Sequence, residues 1–437
     1  VGRGAAFDGI VAGDCDMNGE QMSVEASRTS GAVTNDETGR RRLGDSRHWY
    51  LVPLLVYAVS RLVDALIITV ASRRQVALTS TRSDYHVFDP TPAAPGYGGV
   101  VANWDGQWYW RIATRGYEVP ASGSAEEGEA LWAWAFPPVY PLLVRGVMTV
   151  TRLPFNWAAS LVSVVAGAVA MMLMYRLVRR YGGPFLALVT VTLSCFFISA
   201  PLLQIAYSES LALAVLFAAL NLLADRRYGW ATSMVVLLAY TRLVTLPLAF
   251  VVLAHAVARW RAEGPFWRQD RRSAAVLCAM GVASVAGAAL WMLTASLFIG
   301  LKAGTGRTVD QRELFQGWFR DVYDVFGAPG LLMLIAFVVL FGLNLVTRRG
   351  RIWGPELRAW SLAYLVYLFW FTPLLPAVFR YLLLVPTLVV ILLGTPVKAT
   401  RGTVGLLAVA VVALVIAQFW YAGNILVVFT EEARPGP

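Results

Sequence analysis

Trp157-Ala-Ala-Ser-Leu-Val-Ser-Val-Val-Ala-Gly-Ala-Val-Ala-Met-Met-Leu-Met-Tyr175 carries no charge along its length, and Arg176-Leu177-Val178-Arg179-Arg180 closes it. A helix needs about 20 mainly apolar residues to cross the hydrocarbon core. Arginines just beyond such a run mark its cytoplasmic end. The same unit recurs in both directions. Apolar runs cover 49–71, 157–177, 184–203, 210–223, 230–240, 244–258, 273–298, 331–346, 359–372, 379–393 and 404–421. Several are shorter than a straight span, so they extend into the interfaces or form broken helices shielded by neighbours. The expectation is an all-α polytopic membrane protein with about 11 transmembrane helices.

Composition agrees. Of 437 residues 57% are hydrophobic and only 15% charged, against roughly 25% charged in a soluble chain. The mean hydropathy is +0.58. Soluble enzymes, secreted disulfide scaffolds and nucleic-acid binders are excluded as first readings. The net charge of +10 is what cytoplasmic loops of a membrane protein carry. Lys302 and Lys398 are the only lysines among 37 basic residues. Cys15, Cys195 and Cys278, like His48, His86 and His255, are scattered without metal or redox spacing.

Basic residues alternate between the ends of the runs. Arg40–Arg42 with Arg47, then Arg176, Arg179 and Arg180, then Arg226 and Arg227 fall on one face. Arg259, Arg261, Arg268, Arg271 and Arg272 join them, as do Arg348, Arg349, Arg351 and Arg358, and finally Lys398 and Arg401. That face is cytoplasmic if the N-terminus is inside and the C-terminus outside. Residues 136–150 then form an interfacial or re-entrant helix rather than a crossing. Two large outer loops result, 72–156 and 299–329. Residues 1–48 are polar and aperiodic, the composition of a disordered cytoplasmic tail, and 49–437 form a single transmembrane domain. No internal repeat is evident, which weakens an inverted-repeat transporter reading.

The first outer loop holds Asn103-Trp104-Asp105-Gly106-Gln107-Trp108-Tyr109-Trp110-Arg111-Ile112-Ala113-Thr114-Arg115-Gly116-Tyr117. Tyr109, Ile112, Ala113 and Gly116 share one face of a short amphipathic helix lying in the interface. An aromatic belt accounts for the rings but does not call for an embedded Asp-Gly. Downstream, Phe136-Pro137-Pro138-Val139-Tyr140-Pro141 is extended until its last proline, either lining a substrate or as plain loop. Tyr207-Ser208-Glu209-Ser210, Tyr240-Thr241-Arg242 and Phe379-Arg380-Tyr381 place charges at the outer ends of three runs. Such charges face cavities or partners, or snorkel to the boundary. Arg61 and Asp64, three apart, read as a structural pair. Asp310, Glu313, Asp321 and Asp324 alternate with Arg307, Arg312 and Arg320, a mixed-charge solvated face.

From Trp104 to Pro386 these landmarks resemble, in order, the PIG-V-like mannosyltransferases. Trp104-Asp105-Gly106-Gln107-Trp108-Tyr109 with Ile112, Ala113, Gly116 and Tyr117 looks like the family's first-loop signature. Phe136-Pro137-Pro138-Val139-Tyr140-Pro141-Leu142 looks like its Phe-Pro-Leu-Tyr-Pro element, with Pro138 where the family often has Leu. The resemblance implies a GT-C-type fold. It also implies transfer of mannose from a polyprenyl-phosphate carrier to a hydroxyl of a lipid-linked glycan or lipoglycan, on the outer face of the plasma membrane.

In that scheme Asp105 is the general base, with Glu209 orienting the acceptor or assisting. Arg380 and Arg242 bind the donor phosphate. Trp104, Trp108 and Tyr109 offer ring faces to sugars, and Arg111, Tyr117, Tyr140, Tyr207 and Tyr381 complete the substrate-binding set. No cofactor is expected; a single acid falls short of the oxygen ligands a divalent cation prefers, although Asp105 with Glu209 leaves that open. The partners are the sugar donor, the glycolipid or glycan acceptor and the bilayer, with no nucleic acid. A transporter or lipid flippase, a non-catalytic envelope scaffold, and a transferase using another sugar such as arabinose are the competing readings.

Overall fold

A computed structural model describes residues 49–79, 85–119, 127–300, 316–372 and 376–429. The tail 1–48 and the charged stretch around Arg307–Glu313 lie outside the described residues. Within them the architecture is helical, with one isolated antiparallel bridge, Leu78 to Thr91, in the first loop. Helices cover all eleven apolar runs, in whole or in part. Among the described residues five are long and apolar enough to cross a membrane: Leu51–Arg74, Phe155–Cys195, Arg271–Ile299, Gly317–Val346 and Arg401–Leu426. The protein is an all-α, multi-pass membrane protein.

Two runs differ from their sequence reading, and residues 316–329 of the expected outer loop are helical, part of Gln316–Val346, which bends at Gly327. Phe155–Cys195 is two legs, broken at Gly183, whose φ of +83° favours glycine, with Pro184 next. Ser194 Oγ lies 3.5 Å from Met174 Sδ, so the second leg folds back along the first. That leg ends at Cys195 rather than at residue 203. The remainder is coil and a 3-10 turn, Ala200–Gln204. Its carbonyls find a donor elsewhere: Arg61 gives Nη1 to Ala200 O at 2.9 Å and Nη2 to Cys195 O at 3.2 Å. Arg61 also pairs with Asp64 at 2.8 Å, as their spacing suggested, and both are buried. The 379–393 run is likewise not one span. It forms Val378–Leu382 and Thr387–Leu392, separated ahead of Pro386, which cannot donate to a continuing helix.

Most of the basic clusters gather at one end of the bundle. Arg176 and Arg180 both reach Asp225, the former at 2.8 Å. Arg226 and Arg259 share Glu263. Beneath them His255 Nδ1 meets Glu356 Oε1 at 2.7 Å and its Nε2 meets the Tyr228 hydroxyl at 3.2 Å. Tyr181 donates to the other Glu356 oxygen at 3.0 Å. The arginine alternation read from the sequence is therefore a spatial clustering. Exposed pairs of this kind each contribute only about 0–1 kcal/mol.

Candidate functional site

The first loop builds the site's floor. Asp105–Arg115 is a helix that buries Trp108, Tyr109, Ile112 and Ala113 and, with them, Gly106, Gln107 and Arg111, so it is enclosed by protein on more than the one apolar face that the spacing suggested. Asp105 is its first residue, where the helix dipole favours an anion. Gly106 permits the next contact. A Cβ there would lie 3.2 Å from Val101 O and 3.4 Å from Ala206 Cβ, and Ala206 N donates to Val101 O at 3.0 Å. The loop ahead of Asp105 is thus laid directly against 205–207, the segment that opens the Glu209–Ala224 helix. Trp104, just before Asp105, has φ +56° and ψ −117°. For a bulky residue this is strained, at on the order of 1–3 kcal/mol.

Four charges from four distant segments meet above that floor. Arg380 Nη1 lies 2.5 Å from Asp105 Oδ2, and its Nε lies 3.8 Å from Glu209 Oε1. The same Glu209 oxygen is 2.8 Å from Arg242 Nη1. Ser208 Oγ accepts from Arg242 Nη1 at 3.3 Å and from the Tyr109 hydroxyl at 3.0 Å. Burial pushes the Tyr109 phenol up, helped by the Asp105 and Glu209 carboxylates, so it stays a protonated donor. Tyr381 lies between the guanidiniums: Arg380 and Arg242 sit 5.0 and 5.3 Å from its ring centre, and Arg380 Nη2 donates to its hydroxyl at 3.2 Å.

Exposure separates the four. The Asp105 side chain is 27% exposed and Arg242 14%, but Arg380 only 8% and Glu209 0%. Asp105 is the most accessible group of the four. Several buried polar atoms here have no hydrogen-bond partner: Glu209 Oε2, Arg380 Nε, and the hydroxyls of Tyr207, Tyr364 and Tyr421. Tyr364 and Tyr421 lie within electrostatic reach of Arg242 and Arg380 respectively. Unpaired buried polar groups are costly, and a cluster of them beside two guanidiniums suits a polar, anionic ligand.

The other expected residues divide. Tyr207 lies against Arg380, 5.6 Å from its ring centre to the guanidinium, and joins the cluster with Tyr381. Trp104 borders it, its indole N–H on Leu426 O at 2.9 Å. Trp108 is buried with His86, Phe88 and Phe136 at 4.8, 5.0 and 5.9 Å, so its ring faces are taken by protein. Tyr109 packs edge-on to Tyr140, which bonds Ser163 at 2.9 Å. Arg111 holds Glu118 and Glu129 at 2.8 and 3.1 Å, and Tyr117 donates to Phe136 O at 2.6 Å. Trp108, Arg111, Tyr117 and Tyr140 brace the loop and lie apart from the four-charge cluster, whereas Tyr109 reaches it through Ser208. Sequence reasoning missed Tyr364 and Tyr421, which stand in no motif, and Asn103, which carried no signal beyond its place in the motif.

No family model matches the chain, and no curated protein matches it. Among solved structures it is similar to the Archaeoglobus fulgidus oligosaccharyltransferase, crystallised tethered by a disulfide bond to an acceptor peptide containing the NVT sequon. The two are 13% identical with a TM-score of 0.43, over 86% of this chain and 55% of that one. The chain thus spans about half the length of that protein.

Proposed function

We propose that the protein is a membrane glycosyltransferase that moves mannose from a polyprenyl-phosphate carrier to a hydroxyl of a lipid-linked glycan or lipoglycan at the outer face of the plasma membrane. The observation that carries this reading is the convergence of Asp105, Glu209, Arg242 and Arg380 in one cluster, from positions up to 275 residues apart. The mannose and the carrier come from the motif resemblance that runs from Trp104 to Pro386.

Such a transfer needs two things, a base and a place for a leaving phosphate. Asp105, the most open carboxylate, takes the proton of the acceptor hydroxyl as that oxygen bonds to the anomeric carbon. The bond from that carbon to the phosphate oxygen breaks, and its electron pair leaves with the polyprenyl phosphate. Arg380 and Arg242 receive the developing charge, since guanidinium matches phosphate oxygens. In the structure Arg380 is engaged by Asp105. An arriving phosphate competes for that guanidinium and frees the carboxylate for the acceptor, so donor binding and base release are coupled. Glu209, buried between the arginines, balances their charge.

The test uses purified protein in lipid, radiolabelled polyprenyl-phosphate mannose and a membrane lipid extract as acceptor pool. Wild type and Asp105→Asn are run side by side, the substitution being nearly isosteric. Label passing to a glycolipid with wild type and falling by about 100- to 10,000-fold in the variant supports the reading. Equal transfer by both removes Asp105 from its role. Absence of transfer with mannose, but transfer from the arabinose carrier, changes the sugar and leaves the class.

A further inference from the structure

The strained residue ahead of Asp105 has a holder. Trp104 keeps its φ of +56° because several bonds fix the chain on either side. Its backbone N–H donates to the Tyr85 hydroxyl at 3.2 Å and its indole N–H to Leu426 O. Asn103 is fully buried. Its side-chain nitrogen donates twice, to Gln75 Oε1 at 2.8 Å and to the same Leu426 carbonyl at 3.1 Å. One amide therefore ties the motif to the outer end of the first span and to the C-terminal turn Ala422–Leu426. Asn103 O in turn accepts from Gly106 N at 3.0 Å, so its position is passed directly to the first turn carrying Asp105.

We propose that Asn103 is a positioning residue for Asp105: its amide, strapped to Gln75 and Leu426, holds the Trp104 elbow in the conformation that aims the carboxylate at Arg380. The residue touches none of the four charges, and the loop needs no such double strap merely to reverse direction. The proposal rests on the reading of Asp105 as the base. It also gives the turn Ala422–Leu426 a task, as the fixed wall against which the elbow is braced.

The test is a double-mutant cycle on the full-length protein in lipid, reading kcat and donor KM in the mannose transfer assay. Asn103→Asp keeps the shape and removes both donated bonds; Gln75→Met removes one of the two acceptors. Misplacing a catalytic group by about 1 Å costs on the order of a hundredfold. Asn103→Asp is therefore expected to lower kcat by up to about that factor with donor KM within about twofold, and Gln75→Met to do so more weakly. A residue acting through Asp105 loses its effect once Asp105 is gone, so in an Asp105→Asn background (or Asp105→Glu, where residual transfer is below detection) the Asn103 loss largely disappears. Losses that simply add in both backgrounds, or an Asn103→Asp variant as fast as wild type, overturn the positioning role while the base reading stands. An Asp105→Asn variant as active as wild type removes the base reading itself and this proposal with it. If Asn103→Asp does not fold, as judged by thermal melting in detergent, Gln75→Met carries the cycle alone and the same outcomes decide.

Discussion

At the scale of single residues, Arg380 is the most committed side chain in the cluster. Its Nη1 faces Asp105, its Nη2 the Tyr381 hydroxyl, and its Nε has no hydrogen-bond partner although it is buried. A lysine keeps the charge but not the planar fork. Arg380→Lys is expected to lower kcat by about 100- to 1,000-fold, the usual cost of losing a donor to a developing anion. Measured rates within tenfold of wild type would take Arg380 out of the leaving-group role. The carboxylates carry a second prediction. Asp105 and Glu209 each face a guanidinium, so a divalent cation entering there would meet two positive charges and too few oxygens. Transfer should survive exhaustive EDTA treatment unchanged. A loss restored by magnesium or manganese would show that the site uses a metal.

At the scale of elements, the segment delivering Tyr207, Ser208 and Glu209 depends on a residue in the first span. The second leg of Phe155–Cys195 stops short, and coil takes over inside the protein, where carbonyls without donors are expensive. Arg61 supplies those donors. Removing one partner of a buried ion pair costs about 3–5 kcal/mol. Arg61→Met should therefore lower the melting temperature in detergent and reduce transfer, although Arg61 touches no member of the cluster; an unchanged melt would refute the account. This is also where sequence reading reached its limit. Gly182-Gly183-Pro184 announces a break, and a break is there. Phe196-Phe197-Ile198 and Ala200-Pro201-Leu202-Leu203 are as apolar as any helix, and hydropathy cannot tell buried coil from span. Pro386 stands inside the 379–393 run, which hydropathy alone reads as one continuous span. The four charges were legible because ionised groups beside long apolar runs are rare and costly. Asn103 was not, since its value lies in two partners 28 and 323 positions away.

At the scale of the whole molecule, two polar clusters serve different helix ends. One is the arginine-rich network of Arg176, Arg180, Asp225, Arg226, Arg259 and Glu263 with the buried His255–Glu356 pair below. The other is the four-charge cluster with the first loop braced around it. Two helices link them: Glu209 opens the helix that ends before Asp225, and Arg242 follows the one that starts after Arg227. The positive-inside rule leads to the expectation that the arginine network is cytoplasmic and that Asp105 and its neighbours face outside. Single cysteines decide this. In a background with Cys15 and Cys278 replaced by Ser, and with Cys195 buried, Arg115→Cys and Arg349→Cys place thiols at exposed positions on the two sides. A membrane-impermeant maleimide should label Cys at 115 in intact spheroplasts and Cys at 349 only after permeabilisation. The reverse pattern would turn the site toward the cytoplasm. It would then face soluble nucleotide sugars, and the need for a lipid-borne donor, on which the assignment of Arg242 and Arg380 to a carrier phosphate depends, would fall away.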